Sequence, residues 1–414
     1  MNNEALATLA EKKLDSATGG LKDFRQTHLE VFKKNGIAAH QGEAYKFTNL
    51  KTFLSALEYS PYEGEDASVE DYLSEDFYNF VFVDGVLTTK VEAAGLTVKT
   101  VAESFATISS ELKSDSPLSA LHHSMLESGV VLEIAKKTKI EKPIRIANIV
   151  TRSGIQTPTI IVRALSFSEV SILEENWDQS VAHGFIAETY IHAEAGAKVE
   201  HVQLSSGTDT ALLHTSTHTT IARDAVYRNV VLNMSGKLNR RNVSVELLEA
   251  GAHAESYNLY LTSNTEHSDI STVIHHRAAD TTSNQIAKGI LDGESKGIFT
   301  GKIHIHPQAQ RVNSGQINKN LLLSQKAQAH SQPQLEIFAD DVKCSHGSTT
   351  GQLSDDEVFY FQARGIPADK AKTLLAHGFG MEVVLKIQNK AAQKRVETIV
   401  MNSLKTKFSL GESK

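Results

Sequence analysis

The chain has 414 residues, 40% hydrophobic and 22% charged, an ordinary soluble composition with room for two or three structural units. Its net charge of −7 argues against a general nucleic-acid binder and leaves only a local basic patch as a route to nucleic acid. A lone cysteine, Cys344, rules out an intrachain disulfide and fits a reducing compartment. The N-terminal Met-Asn-Asn-Glu-Ala-Leu-Ala lacks the regions of a signal peptide, and no apolar run nears the ~20 residues of a membrane span. The expectation is a soluble, cytoplasmic protein.

Residues 1–60 read as helical. Leu6, Leu9 and Leu14, then Phe24, Leu29, Val31 and Phe32, recur at helical spacing, with Gly19-Gly20 as a break. Phe47 to Leu57 gives a further short helical stretch, and residues 61–76 are an acidic surface loop. From Phe80 the period changes to two: Val81, Val83 and Val86 flank the tight-turn dipeptide Asp84-Gly85. After a helical or irregular interval (97–127), strand-like runs dominate as far as Cys344, among them 130–134, 144–150, 159–162, 170–173, 226–232 and 243–248.

Turn-forming residues precede these runs at a nearly fixed interval. Glu169, Gly196, Asp224, Gly251 and Asp280 are separated by 27, 28, 27 and 29 residues, and Ala195-Gly196-Ala197-Lys198 is echoed by Ala250-Gly251-Ala252-His253. Such a period, made of short strands and turns, predicts a β-solenoid. A β-sandwich is the runner-up, but its turns come every 8–12 residues without a longer period. Stacked coils leave two open ends, and the helical segments before and after the strands are the natural caps.

The last 60 residues return to helix. Ser354-Asp355-Asp356-Glu357 resembles a capping box, Gly365 stops that helix, and Pro367 starts the next at its first turn. Ala371, Leu374, Leu375, Gly378 and Phe379 form one apolar stripe, and Val396, Ile399, Val400 and Leu404 another. Seven Lys or Arg against two Glu from Lys386 to Lys414 read mainly as a solvated face.

The segment Asp340-Asp341-Val342-Lys343-Cys344-Ser345-His346-Gly347 constrains function most. On a strand, Cys344 and His346 share a face about 7 Å apart, a thiolate and an imidazole that make half a metal site. The remaining ligands must then come from elsewhere, such as a second chain. Lys343 and His346 would favour the thiolate, and 347–351 reads as a loop straight after the strand. The alternative is that Cys344 is small apolar filler. His304 and His306 share a strand face, and His275-His276 sit near Asp269, pairs expected by chance among 18 histidines. There is no P-loop, no dinucleotide fingerprint and no nucleophile elbow, which favours a scaffold or binding role.

Residues 40–410 resemble the SufB/SufD family of the SUF iron–sulfur cluster assembly system. The likeness is carried by Ala339 to Gly347, Gly351-Gln352-Leu353, Phe359-Tyr360-Phe361, Ala363-Arg364-Gly365-Ile366, Phe299 to Ile303 and Gln316 to Ser324. One cysteine, and Gly42 to Leu50 with Tyr45 where the family's Glu-x-Trp-Lys-Tyr-Thr segment has Trp, resemble the SufD branch more than the SufB branch. The resemblance implies a right-handed parallel β-helix at 77–344 between helical domains at 1–76 and 345–414. It implies a non-catalytic scaffold pairing with SufB through the β-helix, and C-terminal helices that dock the ABC-type ATPase SufC around Phe359, Tyr360, Arg364 and Gly365. It implies no stably bound cofactor, but a transient iron–sulfur cluster, or its iron and sulfide, at the SufB interface. There His346 matches the family's assigned histidine, and Cys344 ranks below it. The competing classes are a β-helix enzyme acting on polysaccharide, which one Trp and 7% aromatics serve poorly, and a homodimer for storage or off pathway.

Overall fold

The computed structural model describes residues 2–15, 17–37, 42, 45–51, 69–113, 116–151, 154–178, 183–206 and 210–408. Residues 52–57 of the expected helix from Phe47 to Leu57, and 61–68 of the acidic stretch 61–76, fall outside them. Among the described residues, two ten-stranded sheets run almost wholly parallel. From Glu169–Asp178 onward, successive strands alternate between the sheets, so each coil lays one strand on each. Register is maintained: Glu169 pairs with Lys198, Lys198 with Val226, Val226 with His253, and His253 with Thr282. The protein is the mainly β, parallel β-solenoid that the period predicts, with helices at both termini.

The recurring turn residues mark one corner of the coil. Phe167, Gly196, Asp224, Gly251, Asp280 and Arg311 all have φ between 55° and 77°, the left-handed region that Gly and Asp enter most readily. Their amides stack coil on coil: Gly196 N donates to Arg223 O at 2.8 Å, Asp224 N to Ala250 O at 3.2 Å, and Gly251 N to Asp280 O at 3.1 Å. In the first of these coils the corner residue is Phe167, whereas Glu169 already begins the strand. At Gly251 a Cβ would lie 1.9 Å from Asp224 Oδ1, so a side chain there would have to push that carboxylate aside.

Between the sheets lies an aliphatic and aromatic core that includes Phe80, Ile144, Val162, Ile191, Tyr227, Val245, Tyr260 and Phe299. Polar side chains are buried there too, and they bond to one another. Arg241 donates to Asn233 Oδ1 (2.7 Å) and Gln203 Oε1 (3.1 Å), and Glu174 lies 3.2 Å from both His201 Nε2 and Thr189 Oγ1. Burial lowers Arg241 to about 10 against the attraction of Glu174, which leaves it charged at neutral pH.

The helices do not cap the ends. They lie on the outer faces of the sheets, because each sheet presents apolar residues outward as well as inward. Helices Ala368–Val384 and Lys390–Lys407 cover the first sheet through Ala376, Met381, Val384, Val396, Val400 and Leu404 on Leu204, Leu232 and Leu259. The stripe on the last helix is as expected, but Leu374 and Gly378 are exposed, the buried side being rotated toward Ala376 and Met381. Helices Asn3–Leu14, Gly19–Asn35 and Pro117–Ser124 cover the second sheet around Ile186, Leu212 and Leu238.

One buried carboxylate fastens the C-terminal helix. Glu175, fully buried, accepts from Arg145 Nε (2.8 Å), Arg395 Nη2 (2.9 Å) and Trp177 Nε1 (3.1 Å). Burial pushes its carboxyl up, but the two guanidinium groups win and hold it below the ordinary range. Removing it strands the Arg145 cation in a dry site and leaves Arg395 without its partner, so Glu175→Ala is expected to cost about 3–5 kcal/mol in urea unfolding. An Arg395→Met change, which leaves Arg145 paired, costs clearly less.

The N-terminal face carries a second buried network. His123 Nε2 lies 3.0 Å from Glu188, whose carboxylate also accepts from Tyr190, and His122 Nε2 lies 3.1 Å from Pro158 O. Burial lowers His122 to about 4. Below pH 6.5 the unfolded chain therefore takes up a proton that the folded chain refuses until about pH 4. Stability present above pH 6.5 is lost through that window, roughly 3 kcal/mol from His122 alone. Chemical denaturation at a series of pH values should show this slope, made shallower in His122→Asn.

Candidate functional site

Stacking leaves the two ends of the solenoid unlike. At one, Val86–Leu87 and Leu96–Thr100 turn antiparallel and close the sheets. At the other, Gln328–Ile337 and Val342–Gln352 each pair with one strand only and present a free parallel edge. Unpaired backbone groups of this kind are a template for a further strand, although Pro333 removes one donor from the first edge.

Cys344 and His346 lie on the last strand, in register with Ser314 and Gln316. They share a face, as the alternation predicts. Cys344 ends an inward column of Val199, Tyr227, Ala254, Ser283 and Ser314, and His346 ends one of His201, Asn229, Ser256, Gln285 and Gln316. The earlier members of both columns are buried. At the last coil nothing stacks beyond, so His346 is exposed and Cys344 half-buried against Ala339, Val312 and Ile303.

Two expectations are corrected here. Residues 347–351 are not a loop: the strand runs on to Gln352, held by eleven register pairs with Val312–Leu322. The thiolate is not favoured either. Burial raises the Cys344 thiol above its ordinary value, and a backbone hydrogen bond at Ser314 offsets this only in part. Lys343 projects from the opposite face of the strand and cannot assist.

The segments quoted as family wording have physical reasons. Gly301 faces Gln316, and a Cβ at 301 would meet Gln316 Nε2 at 2.2 Å. Asn318 and Asn320 bond Tyr260 in the interior, and Asn320 Nδ2 reaches Thr350 Oγ1 at 3.2 Å, tying the terminal strand to the core. Near the N-terminus, Arg240 lies over the Tyr45 ring at 4.1 Å, Phe47 stacks on His330, and Thr48 bonds Asp269.

On helix Asp355–Gln362, Phe359 and Tyr360 are 68% and 55% exposed. Arg364 lies over the Tyr360 ring at 3.6 Å, and Gly365 ends the segment at φ 78°. Leu374, on the following helix, is 48% exposed as well. The sequence reading did not single out the cluster of His275, His304 and His306 on the second sheet. Its signal was the shared face of 304 and 306, but the third member depends on strand register.

Fold and site together define a stacked-coil protein with one closed end, one open end and helical faces. The family model described as "SUF system FeS cluster assembly, SufBD core domain" matches residues 147–379, a span that holds Cys344, His346 and Phe359 to Gly365. The chain belongs to the SufBD family of the SUF iron–sulfur cluster assembly system. It is 25% identical to the iron–sulfur cluster assembly protein SufD of Escherichia coli (strain K12) over 389 residues, 90% of each chain. It is 25% identical to a SufBD family protein of Synechocystis sp. over 434 residues, 96% of this chain and 95% of that one. A chloroplastic protein of Arabidopsis thaliana is 30% identical over 275 residues, 63% of this chain and 57% of that one. No helix of the described residues is long and apolar enough to cross a membrane.

The raised thiol gives a direct prediction. Alkylation of Cys344 by iodoacetamide at pH 7.5 should run several-fold slower than that of a free cysteine, because the thiolate is the nucleophile. It should accelerate with pH into the alkaline range. A rate above that of free cysteine would contradict the burial argument.

Proposed function

We propose that the chain is a non-catalytic, SufD-type scaffold subunit that assists assembly of iron–sulfur clusters at an interface with SufB. The observation that carries this reading is the pair of free parallel edges bordering the exposed His346 and half-buried Cys344. A partner strand added there pairs unpaired backbone groups and brings new ligands beside an imidazole and a thiol. Iron and sulfide are cargo at this site, held transiently. His346 is the first ligand, and Cys344 joins only when a metal displaces its proton.

SufC docks on the C-terminal helices through Phe359, Tyr360, Arg364 and Gly365. ATP-driven closure of SufC then pulls the C-terminal helices, and the stiff solenoid, whose last strand ends at Gln352, relays the motion to the interface. Helices Asn3–Leu14 and Gly19–Asn35 brace the opposite face. The same edges would accept a second copy of this chain when SufB is absent, which favours a homodimer as the form of the isolated protein.

The test is anaerobic reconstitution of clusters on co-expressed SufB, SufC and this chain. His346→Ala should lower iron and sulfide by about tenfold or more while size exclusion shows an intact complex. Cys344→Ala ranks the second ligand. Phe359→Ala with Tyr360→Ala should release SufC and leave SufB bound. Normal loading in both ligand variants would reduce the segment to architecture.

A further inference from the structure

The outer face of the second sheet carries three histidines in one cluster. His275 and His304 are in-register neighbours on the strands His267–His276 and Lys296–Ile305, and His306 follows two residues along the same face. Their ring centroids are 5.2, 5.7 and 4.3 Å apart, and one ring nitrogen of each lies within 4.8 Å of the other two. Nitrogens of a tetrahedral first-row metal shell sit about 3.4 Å apart, so modest ring rotations close the set. All three are half-buried, which makes a site open to solvent on one side.

The surroundings prepare the rings. His304 Nδ1 lies 2.8 Å from Glu336 Oε2, and Lys302 Nζ holds that carboxylate at 2.7 Å. The carboxylate fixes the Nδ1 proton and leaves Nε2 with its lone pair free, the outer-shell arrangement of metal-bound histidines. His275 Nδ1 is buried with no hydrogen-bond partner. His306 Nε2 accepts from Arg277 Nη1 at 3.0 Å, while Arg277 Nε holds Glu246 at 2.6 Å. Glu246 and Glu336 supply negative charge beside the three imidazoles.

We propose that His275, His304 and His306 bind one divalent late first-row cation of the zinc type, with the fourth position open to water or an external ligand. Arg277 occupies the third lone pair when metal is absent and swings away on binding, keeping Glu246. The site stands apart from Cys344 and His346, which face the solenoid interior on the other sheet. The choice of metal follows from the donors: three imidazoles suit Zn²⁺, Co²⁺ or Ni²⁺ over Mg²⁺ or Ca²⁺.

The experiment is equilibrium dialysis of the purified full-length chain against Zn²⁺, with Co²⁺ as the spectroscopic probe. One metal per chain is expected, with visible cobalt bands of four-coordinate intensity and no thiolate charge-transfer band. His304→Ala and His306→Ala should each weaken retention at least tenfold. Arg277→Met should tighten it several-fold, and the Cys344→Ala, His346→Ala double variant should leave it unchanged. His304→Asn serves as a second, shape-conserving variant, with a metal-free melting curve like wild type showing that the fold is intact. No metal retained by wild type, retention unaffected in the triple His275→Ala, His304→Ala, His306→Ala variant, or loss in the double variant would each overturn the site.

Discussion

Everything in this structure depends on parallel backbone pairing kept in register from coil to coil. Because each strand lies directly on its equivalent one turn earlier, side chains fall into columns, and a column tolerates only neighbours that fit above and below. The corner of Phe167, Gly196, Asp224, Gly251, Asp280 and Arg311 is one such column, set by left-handed backbone. The interior has others. Tyr260 fills the space left by Gly289 and Gly297, where a Cβ would lie 2.1 Å and 2.6 Å from its ring. Stacking also dictates what cannot be avoided: a last coil whose next neighbour is missing.

That last coil is where the proposed site lies. The same inward positions that hold His201, Gln285 and Gln316 out of water hold His346 in it, because only the stack beyond is absent. A solenoid with antiparallel strands at both ends would hide these groups. Closing one end and leaving the other open gives the chain a direction, with helical faces on its sides and the edge that carries Cys344 and His346 at its tip. The helical faces are fixed firmly: Glu175 reaches Arg395, and Glu200 accepts from the amides of Gln388 and Asn389 at the entry to the last helix.

Much of the fold was legible because its rules are local. Left-handed corners call for Gly and Asp, so their spacing recorded the coil length directly. The Asp84-Gly85 turn and the stripe of Val396, Val400 and Leu404 were equally plain. What failed was whatever needed a neighbour from another coil. Gly347 to Gly351 looks like a loop in isolation, and only the register with Ile317 to Leu321 makes it a strand. The environment of Cys344 is built by Ile303, Ala309 and Leu335, some 9 to 41 positions away, so its raised thiol could not be read from Lys343 and His346. The helices were placed at the ends because a single strand's alternation does not reveal that its outer face is apolar too. The third histidine of the cluster was missed for the same reason.

The central claim is that the open coil is the surface a partner strand completes. Amide hydrogen exchange across Gln328–Ile337 and Val342–Gln352 tests it most directly, comparing the dilute chain with its complex with SufB. The account predicts that outward-facing amides of both strands exchange fast alone and become protected in the complex, while the corner amides of Gly196 to Asp280 stay protected throughout. Unchanged exchange at both edges, with protection appearing only on the helical faces, would contradict it.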